Sequence, residues 1–170
     1  MKALAIATCC VTIAFTSLFA EGDPMLLKIG DRAPDFTLIS SNGDTVRLQD
    51  FSGKSYVVLI FYPGDETPVC TQQLCAIRDD YQQFADRNAK VFGVNPGSAG
   101  SHKKFVAKHG FSFPLLMDEK KKVAKAYGCS GWPMIKRTVY VIDMNGKIIY
   151  AQRGKPANEE ILKAIPENRT

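Results

Sequence analysis

The sequence has few of the features that mark nucleic-acid-binding, metal-binding or repetitive proteins. The 170 residues carry a mild net charge of +5, and only Lys120 to Lys122 form a cluster, which we expect on the solvated face of a helix. No basic stripe interleaved with aromatic residues occurs, so nucleic-acid binding has little support. From about Lys28 onward there are no repeats or low-complexity tracts. The 45% apolar and 23% charged residues are ordinary for one globular domain.

Long apolar runs are absent except at the start of the chain. Lys2 is followed by residues 3–20 without a charge, and Glu21 comes next. That layout is typical of a secretory signal peptide. The run also reaches the lower length limit of a membrane-spanning helix, so an anchor that is retained stays open. With Lys2 on the cytoplasmic side, either interpretation predicts that the rest of the chain is exported, to the periplasm or another extracytoplasmic space.

These observations divide the chain into three parts. We expect residues 1–20 to be the signal peptide or anchor and residues 21–27 to be a linker. Residues 28–170 then form a single domain. In this division the protein contacts a membrane only if its N-terminal segment is retained.

Cysteines are few, and two of the five lie in the apolar leader. Removal of the leader leaves Cys70, Cys75 and Cys129, an odd number. In an oxidising compartment, one pair and one leftover thiol is the natural count.

The hydrophobic pattern predicts an α/β protein in which strands and helices alternate. Residues 36–48 read as a hairpin around Asn42 and Gly43, and residues 55–62 as a strand buried on both faces. Helical spacing of Leu74, Ile77, Tyr81 and Phe84 predicts a helix after the two cysteines. The remaining predicted elements are a strand at 90–95, helices closed by Gly110 and Gly128, a hairpin around Asn145 and Gly146, and a helix from Asn158 to Ala164. This order is that of a thioredoxin-like fold, a mixed central sheet flanked by helices, with an extra N-terminal β-hairpin.

The segment PGDETPVCTQQLC, residues 63–75, contains two of the cysteines at the start of a predicted helix. Thr67 is a favoured N-cap and Pro68 suits the first helical position, so Cys70 falls in the first turn. There its sulfur lies among backbone N–H groups without intrahelical partners, at the positive end of the helix dipole. This setting favours the thiolate, and the Thr67 hydroxyl is placed to reach the backbone or sulfur of Cys70. The alternative is a small apolar residue without reactivity.

Cys75 lies five positions after Cys70. In a continuous helix the two Cα atoms differ by about 7.5 Å in height, whereas a disulfide needs Cα atoms within about 7 Å. A bond between them therefore requires the helix to unwind, which favours a bond formed during a reaction over a permanent one in an unwound segment. His102 and His109 match no common zinc spacing with the cysteines, so we expect no metal site and place both histidines on the surface.

The residues of this segment resemble the active-site motif of a known family. Pro63, Thr67 and Cys70 have the spacing of the active-site pattern of peroxiredoxins. The phrase FYPGDETPVCTQQLC resembles the peroxiredoxin Q group of the AhpC/TSA family, also called the bacterioferritin comigratory protein group, in which a second cysteine follows the first by five. The opening IGDRAPDFTLISSNG and the later RTVYVID also resemble that group, so the likeness covers about residues 28–155.

The resemblance implies a thiol-dependent peroxidase that acts on hydrogen peroxide and organic hydroperoxides. Cys70 would be the peroxidatic cysteine and become a sulfenic acid, and Cys75 would resolve it to an intramolecular disulfide. A thioredoxin-like dithiol would then reduce the disulfide. Thr67 would hydrogen-bond the thiolate and the peroxide, and Pro63 would shield the site from water. The same resemblance implies no cofactor, and a monomer as is common in this group.

The arginine of the family maps to Arg137, at the start of RTVYVID. Its permanent positive charge would stabilise the thiolate and the charge that develops on the peroxide oxygens. One departure is Gln73, where this group often has glutamate. Cys129 has no implied role, and we expect a partly buried free thiol rather than an alternative resolving cysteine.

Two other functions compete with this interpretation. An exported thiol-disulfide oxidoreductase of the thioredoxin-like class would have two residues between its cysteines, whereas this chain has four. A redox-inert binding domain could reuse the same fold, since fold alone does not fix function. The presence of Pro63, Thr67, Cys70 and Arg137 speaks against the second.

Overall fold

A seven-stranded mixed sheet forms the centre of the fold in the computed structural model, which describes residues 25–167. The expected signal or anchor segment, 1–20, and residues 21–24 of the expected linker lie outside the described residues. The strands are β1 Thr37–Ser40, β2 Thr45–Arg47, β3 Tyr56–Phe61, β4 Ala89–Asn95, β5 Leu115–Met117, β6 Thr138–Ile142 and β7 Ile148–Arg153. Their order across the sheet is β2-β1-β5-β4-β3-β6-β7.

Five α-helices and one short 3-10 helix surround this sheet in the described part of the chain. They are α1 Pro68–Asp79, α2 Tyr81–Asp86, α3 Ala99–His109, α4 Lys122–Ala126, α5 Asn158–Lys163 and the 3-10 helix Leu48–Phe51. The predicted thioredoxin-like architecture with an additional N-terminal hairpin is confirmed, because β1 and β2 pair antiparallel around Asn42 and Gly43. No helix within residues 25–167 is both long and apolar enough to cross a membrane.

Strand β3 is the central strand of the sheet and divides the core into two halves. It pairs parallel with β4 and antiparallel with β6. Because side chains alternate along a strand, Val58 and Ile60 face the half of the core that contains helices α1, α2, α3 and α5. Val57 and Leu59 face the other half, which contains α4. Coverage of both faces explains why the β3 sequence is a continuous apolar run.

The predicted single helix after the cysteines is two helices in the structure. The break is at Asp80, which caps the end of α1 and the start of α2. The Asp80 carboxylate accepts hydrogen bonds from two side-chain amides, Gln83 Nε2 at 2.9 Å and Asn158 Nδ2 at 2.7 Å. Asn158 begins α5, so the break is tied to a tertiary contact that periodicity cannot reveal.

Two other elements differ from the sequence prediction. The helix expected before Gly128 is only the five-residue α4, preceded by Lys121 in a left-handed conformation. Strand β5 was not predicted at all: it is three residues long and pairs parallel with β4. Three residues are too few to show a period, so only the sheet identifies them as a strand.

Candidate active site

Cys70 lies where the sequence predicts it, in the first turn of α1. Thr67 has an extended N-cap conformation and Pro68 is the first helical residue, which makes Cys70 the third. The Cys70 side chain is fully buried. The thiol therefore lies at the positive end of a helix dipole, which stabilises negative charge on the sulfur. Exclusion of bulk water strengthens its interaction with a nearby charge.

Arg137 supplies that charge. Its Nη2 donates to the Cys70 Sγ at 3.0 Å, and its Nη1 donates to the Gln73 Oε1 at 2.5 Å. The antiparallel register explains this approach: Thr138, the first residue of β6, pairs with Phe61, the last residue of β3, from which the chain leads to α1. The planar guanidinium contacts both partners at once, which the flexible ammonium of a lysine does not reproduce.

Gln73 is the second buried polar residue at this centre. It is 2% exposed, and one helical turn places its side chain beside that of Cys70. Its Oε1 holds Arg137, whereas its Nε2 has no hydrogen-bond partner in the described part of the chain. A neutral amide accepts from the arginine without adding a negative charge near the sulfur. A glutamate at this position would add one.

Pro63 and Thr67 lie in the loop that leads into α1, and the hydroxyl of Thr67 does not make the expected contact with Cys70. It donates to the carbonyl oxygen of Gly64 at 3.4 Å, and no side-chain cap bond from Thr67 is formed within residues 25–167. The reason is its orientation: the hydroxyl turns back toward the β3–α1 loop instead of forward to the amide of Cys70. Pro63 is half-buried in the same loop, two residues after β3 ends.

Cys75 is half-buried in the unbroken part of α1. The helix is intact from Cys70 to Cys75, and the three cysteines of residues 25–167 are free thiols. Cys70 and Cys75 therefore lie in one continuous helix, as predicted, and a bond between these two sulfurs requires part of α1 to unwind. The Cys75 Sγ lies 3.9 Å from Nδ1 of His109.

The expectation of two surface histidines is wrong. His102 is fully buried, and the side chain of His109 is only 19% exposed. Both lie on α3, whose seven-residue spacing between them corresponds to two turns on one face, and this face packs on the core. In the described part of the chain, no group of three or more His, Cys, Asp or Glu side chains is placed to hold a metal ion.

Asp65 is a polar centre that sequence reasoning missed. Its side chain is 6% exposed, and its carboxylate accepts hydrogen bonds from four side chains. They are the Tyr62 hydroxyl at 2.8 Å, the Asn95 amide at 2.9 Å, the Ser101 hydroxyl at 2.5 Å and His102 Nδ1 at 2.8 Å. These contacts tie the loop before α1 to β4 and α3. Asp65 is visible in the motif, but its partners are up to 37 positions away, and only the fold brings them together.

The charge state of Asp65 follows from this environment. Burial alone raises the pKa of Asp65, but hydrogen bonds from His102 and Ser101 and the charge of His102 outweigh it and lower the pKa to about 2. Burial and the neighbouring Asp65 charge raise the pKa of Tyr62, which remains a neutral donor. The loop that carries the active-site motif is thus anchored by an ionised carboxylate.

Cys129 is fully buried rather than partly buried as expected, and its Sγ donates to the Tyr127 carbonyl at 3.4 Å. Burial raises the pKa of its thiol to about 11, so it stays protonated at neutral pH. It packs in the half of the core that does not contain Cys70. A buried protonated thiol is a poor nucleophile.

Comparison with known proteins agrees with this geometry. Residues 29–151 match the AhpC/TSA family. The chain is 37% identical over 151 residues to the protein named peroxiredoxin Bcp of Bacillus subtilis (strain 168), covering 83% of this chain and 94% of the relative. Two chloroplastic relatives from Oryza sativa, named putative peroxiredoxin Q and peroxiredoxin Q, are each 44% identical over 124 residues, and this chain spans 57% of their length.

Solved structures show the same similarity. The peroxidoxin BcpB of Mycobacterium tuberculosis superimposes with a TM-score of 0.77 at 30% identity, covering 85% of this chain and 99% of that one. The Xanthomonas campestris bacterioferritin comigratory protein, whose alkyl peroxide reduction activity has been described structurally, gives a TM-score of 0.70 at 27% identity. That match covers 76% of this chain and 89% of the other.

Proposed function

The chain belongs to the AhpC/TSA family and is a peroxiredoxin-type peroxidase, and from this premise we propose which residues carry the reaction. Cys70 is the peroxidatic cysteine. The observation that carries this assignment is the 3.0 Å contact between Arg137 Nη2 and Cys70 Sγ at the first turn of α1. The guanidinium and the helix dipole both favour a thiolate, which is the nucleophilic form of cysteine.

In the first step the Cys70 thiolate attacks one oxygen of the hydroperoxide. A sulfur–oxygen bond forms, the O–O bond breaks, and the departing oxygen takes a proton to leave as water or an alcohol. Arg137, which donates to the Cys70 sulfur, stabilises the negative charge that grows on these oxygens in this proposal. Thr67 is a further candidate, because rotation about one side-chain bond would turn its hydroxyl from Gly64 toward the site. Pro63 shields the same loop from water.

In the second step Cys75 attacks the sulfenic sulfur of Cys70, a disulfide forms and water leaves. This step requires part of α1 to unwind, as the intact helix keeps the two residues too far apart. A thioredoxin-like dithiol then reduces the disulfide. The alternatives of a thiol-disulfide oxidoreductase and a redox-inert domain are not retained, because the relatives are peroxiredoxins.

The substrates we propose are hydrogen peroxide and organic hydroperoxides. The second class is supported by the alkyl peroxide reduction activity of the Xanthomonas campestris relative. We further propose a monomer, which light scattering coupled to gel filtration tests. Export by residues 1–20 is also a proposal, and it is tested by whether tagged protein appears outside the cytoplasm and whether deletion of these residues retains it inside.

The experiment that tests the peroxidase assignment is peroxide consumption with dithiothreitol as the reductant. Cys70→Ser should abolish consumption, while Cys129→Ser, a matched loss of one buried thiol, should leave it unchanged. Cys75→Ser should still form the sulfenic acid but no intramolecular disulfide. Equal consumption by wild type and Cys70→Ser would refute the assignment.

A further inference from the structure

Cys75 lies beside a histidine, His109, that has no role in the two steps proposed for the reaction. Its Sγ lies 3.9 Å from Nδ1 of His109, the last residue of α3. The other ring nitrogen of His109, Nε2, lies 3.7 Å from Oε2 of Glu66 in the loop before α1. A thiol, an imidazole and a carboxylate in this order form the arrangement in which a carboxylate orients a histidine that takes a proton from a nucleophile.

The His109 ring is held in a defined orientation. Its plane is nearly perpendicular to that of Phe105, with ring centroids 5.0 Å apart, and it stacks on Phe111 at 5.7 Å. Its carbonyl oxygen accepts a hydrogen bond of 2.6 Å from Nη1 of Arg78 on α1. Since α1 carries Cys75, this bond fixes the end of α3 against the cysteine.

The Glu66 carboxylate is the negatively charged member of the group formed by Cys75, His109 and Glu66. Lys108 Nζ donates to its Oε2 at 2.6 Å, and this hydrogen bond lowers the pKa of Glu66, which is therefore ionised at neutral pH. At 3.7 Å the carboxylate is at ion-pair distance from His109 Nε2, which has no other partner in the described residues. A proton on Nε2 is favoured by this charge, and Nδ1 is then the free acceptor that faces Cys75.

Resting on the proposed peroxidase function, we propose that His109 is the general base of the resolving step, oriented by Glu66. His109 Nδ1 takes the proton of the Cys75 thiol as that sulfur attacks Cys70. The S–S bond forms while the S–O bond of the sulfenic acid breaks, and the leaving hydroxide takes a proton from the imidazolium to form water. The Cys75 sulfur is oxidised and the Cys70 sulfur is reduced, so no other oxidant or reductant is needed.

The packing of α1 indicates which part of the helix moves. Leu74 and Ile77, on either side of Cys75, are fully buried. Pro68 and Val69 in the first turn are exposed. The first turn therefore loses less apolar burial on unwinding, and it brings Cys70 toward a Cys75 that stays beside His109.

The test measures the two oxidation steps separately. The reduced protein is mixed with hydrogen peroxide, quenched with acid at set times, alkylated and digested with trypsin. Because no lysine or arginine occurs between Lys54 and Arg78, peptide 55–78 contains both cysteines and its mass distinguishes thiol, sulfenic acid and disulfide. The variants are His109→Gln and Glu66→Gln, with Lys104→Gln, an exposed residue of α3, as the matched control.

A free thiol is only a few per cent thiolate at pH 7, so full activation by a base is worth at most about thirtyfold. We expect His109→Gln to slow disulfide formation by about ten- to thirtyfold at pH 7, with sulfenic acid accumulating at the wild-type rate. Glu66→Gln should slow the same step by a smaller factor, and Lys104→Gln should leave it unchanged. By about pH 9.5, where a thiol ionises unaided, the variants should converge on the wild type.

The charged groups that face the Cys75–His109 pair are Glu66 from the loop, Arg78 of α1 and Lys108 of α3. The two cations remain in every variant, so the pH profile reports the loss of the base. Disulfide formation at the wild-type rate in His109→Gln at pH 7, or slowing that persists at pH 9.5, would overturn the assignment of His109. Failure of Cys70 to form a sulfenic acid in the wild type would instead overturn the peroxidase function.

Discussion

Replacement of Asp65 by asparagine tests the polar centre that anchors the active-site loop. Asparagine has nearly the same shape but only one acceptor oxygen, and its amide N–H groups would face the donors of Tyr62, Asn95, Ser101 and His102. A buried donor that loses its partner costs free energy, so the variant should be less stable.

The size of the expected loss in stability follows from the pKa of Asp65, which falls from an ordinary 3.8 to about 2 in the folded protein. One unit of pKa corresponds to about 1.4 kcal/mol, so the ionised carboxylate contributes about 2 kcal/mol to the free energy of unfolding at neutral pH. The folded pKa is the lower one, so this stability is present above pH 3.8 and lost as the pH falls through 2. At pH 3 about half of it, about 1 kcal/mol, should remain.

Urea unfolding followed by far-ultraviolet circular dichroism measures this effect. The single tryptophan, Trp132, is 95% exposed and is a poor fluorescence probe of unfolding. Asp44→Asn, which removes the same charge from an exposed turn, is the control and should change stability by less than about 0.5 kcal/mol. An Asp65→Asn variant that is as stable as the wild type at pH 7, or whose deficit is the same at pH 7 and pH 3, would refute the reasoning.

Three further predictions concern single side chains. Arg137→Gln should slow peroxide consumption by about hundredfold without altering circular dichroism, because it removes the charged donor to Cys70; a loss below threefold would contradict this role. Leu74→Ala, at a fully buried position of α1, should lower the free energy of unfolding in urea by about 2–5 kcal/mol, and a loss below 1 kcal/mol would show that this half of the core is loosely packed. Cys129, whose pKa burial raises to about 11, should react with a thiol reagent at pH 7 far more slowly in the native protein than in urea, and equal rates would show that the site is open.

The local sequence determined the elements that are visible within a few residues. Thr67 and Pro68 define the start of α1 and so place Cys70 in its first turn, because capping depends on residues next to each other. Asn42 with Gly43 specifies the first hairpin, where Gly43 has a φ of +92°, a conformation that glycine adopts without strain. The apolar run of β3 likewise predicts a strand covered on both faces.

Tertiary structure alone decided how distant residues meet at the site. The register of β6 on β3 brings Arg137 to the sulfur of Cys70, 67 positions away. The end of α3 lies against α1 and half-buries His109 beside Cys75, whereas the sequence pattern predicts a surface histidine. The contacts of Asp65 likewise join a loop, a strand and a helix. Such contacts depend on the path of the whole chain, whereas capping and periodicity act over only a few residues.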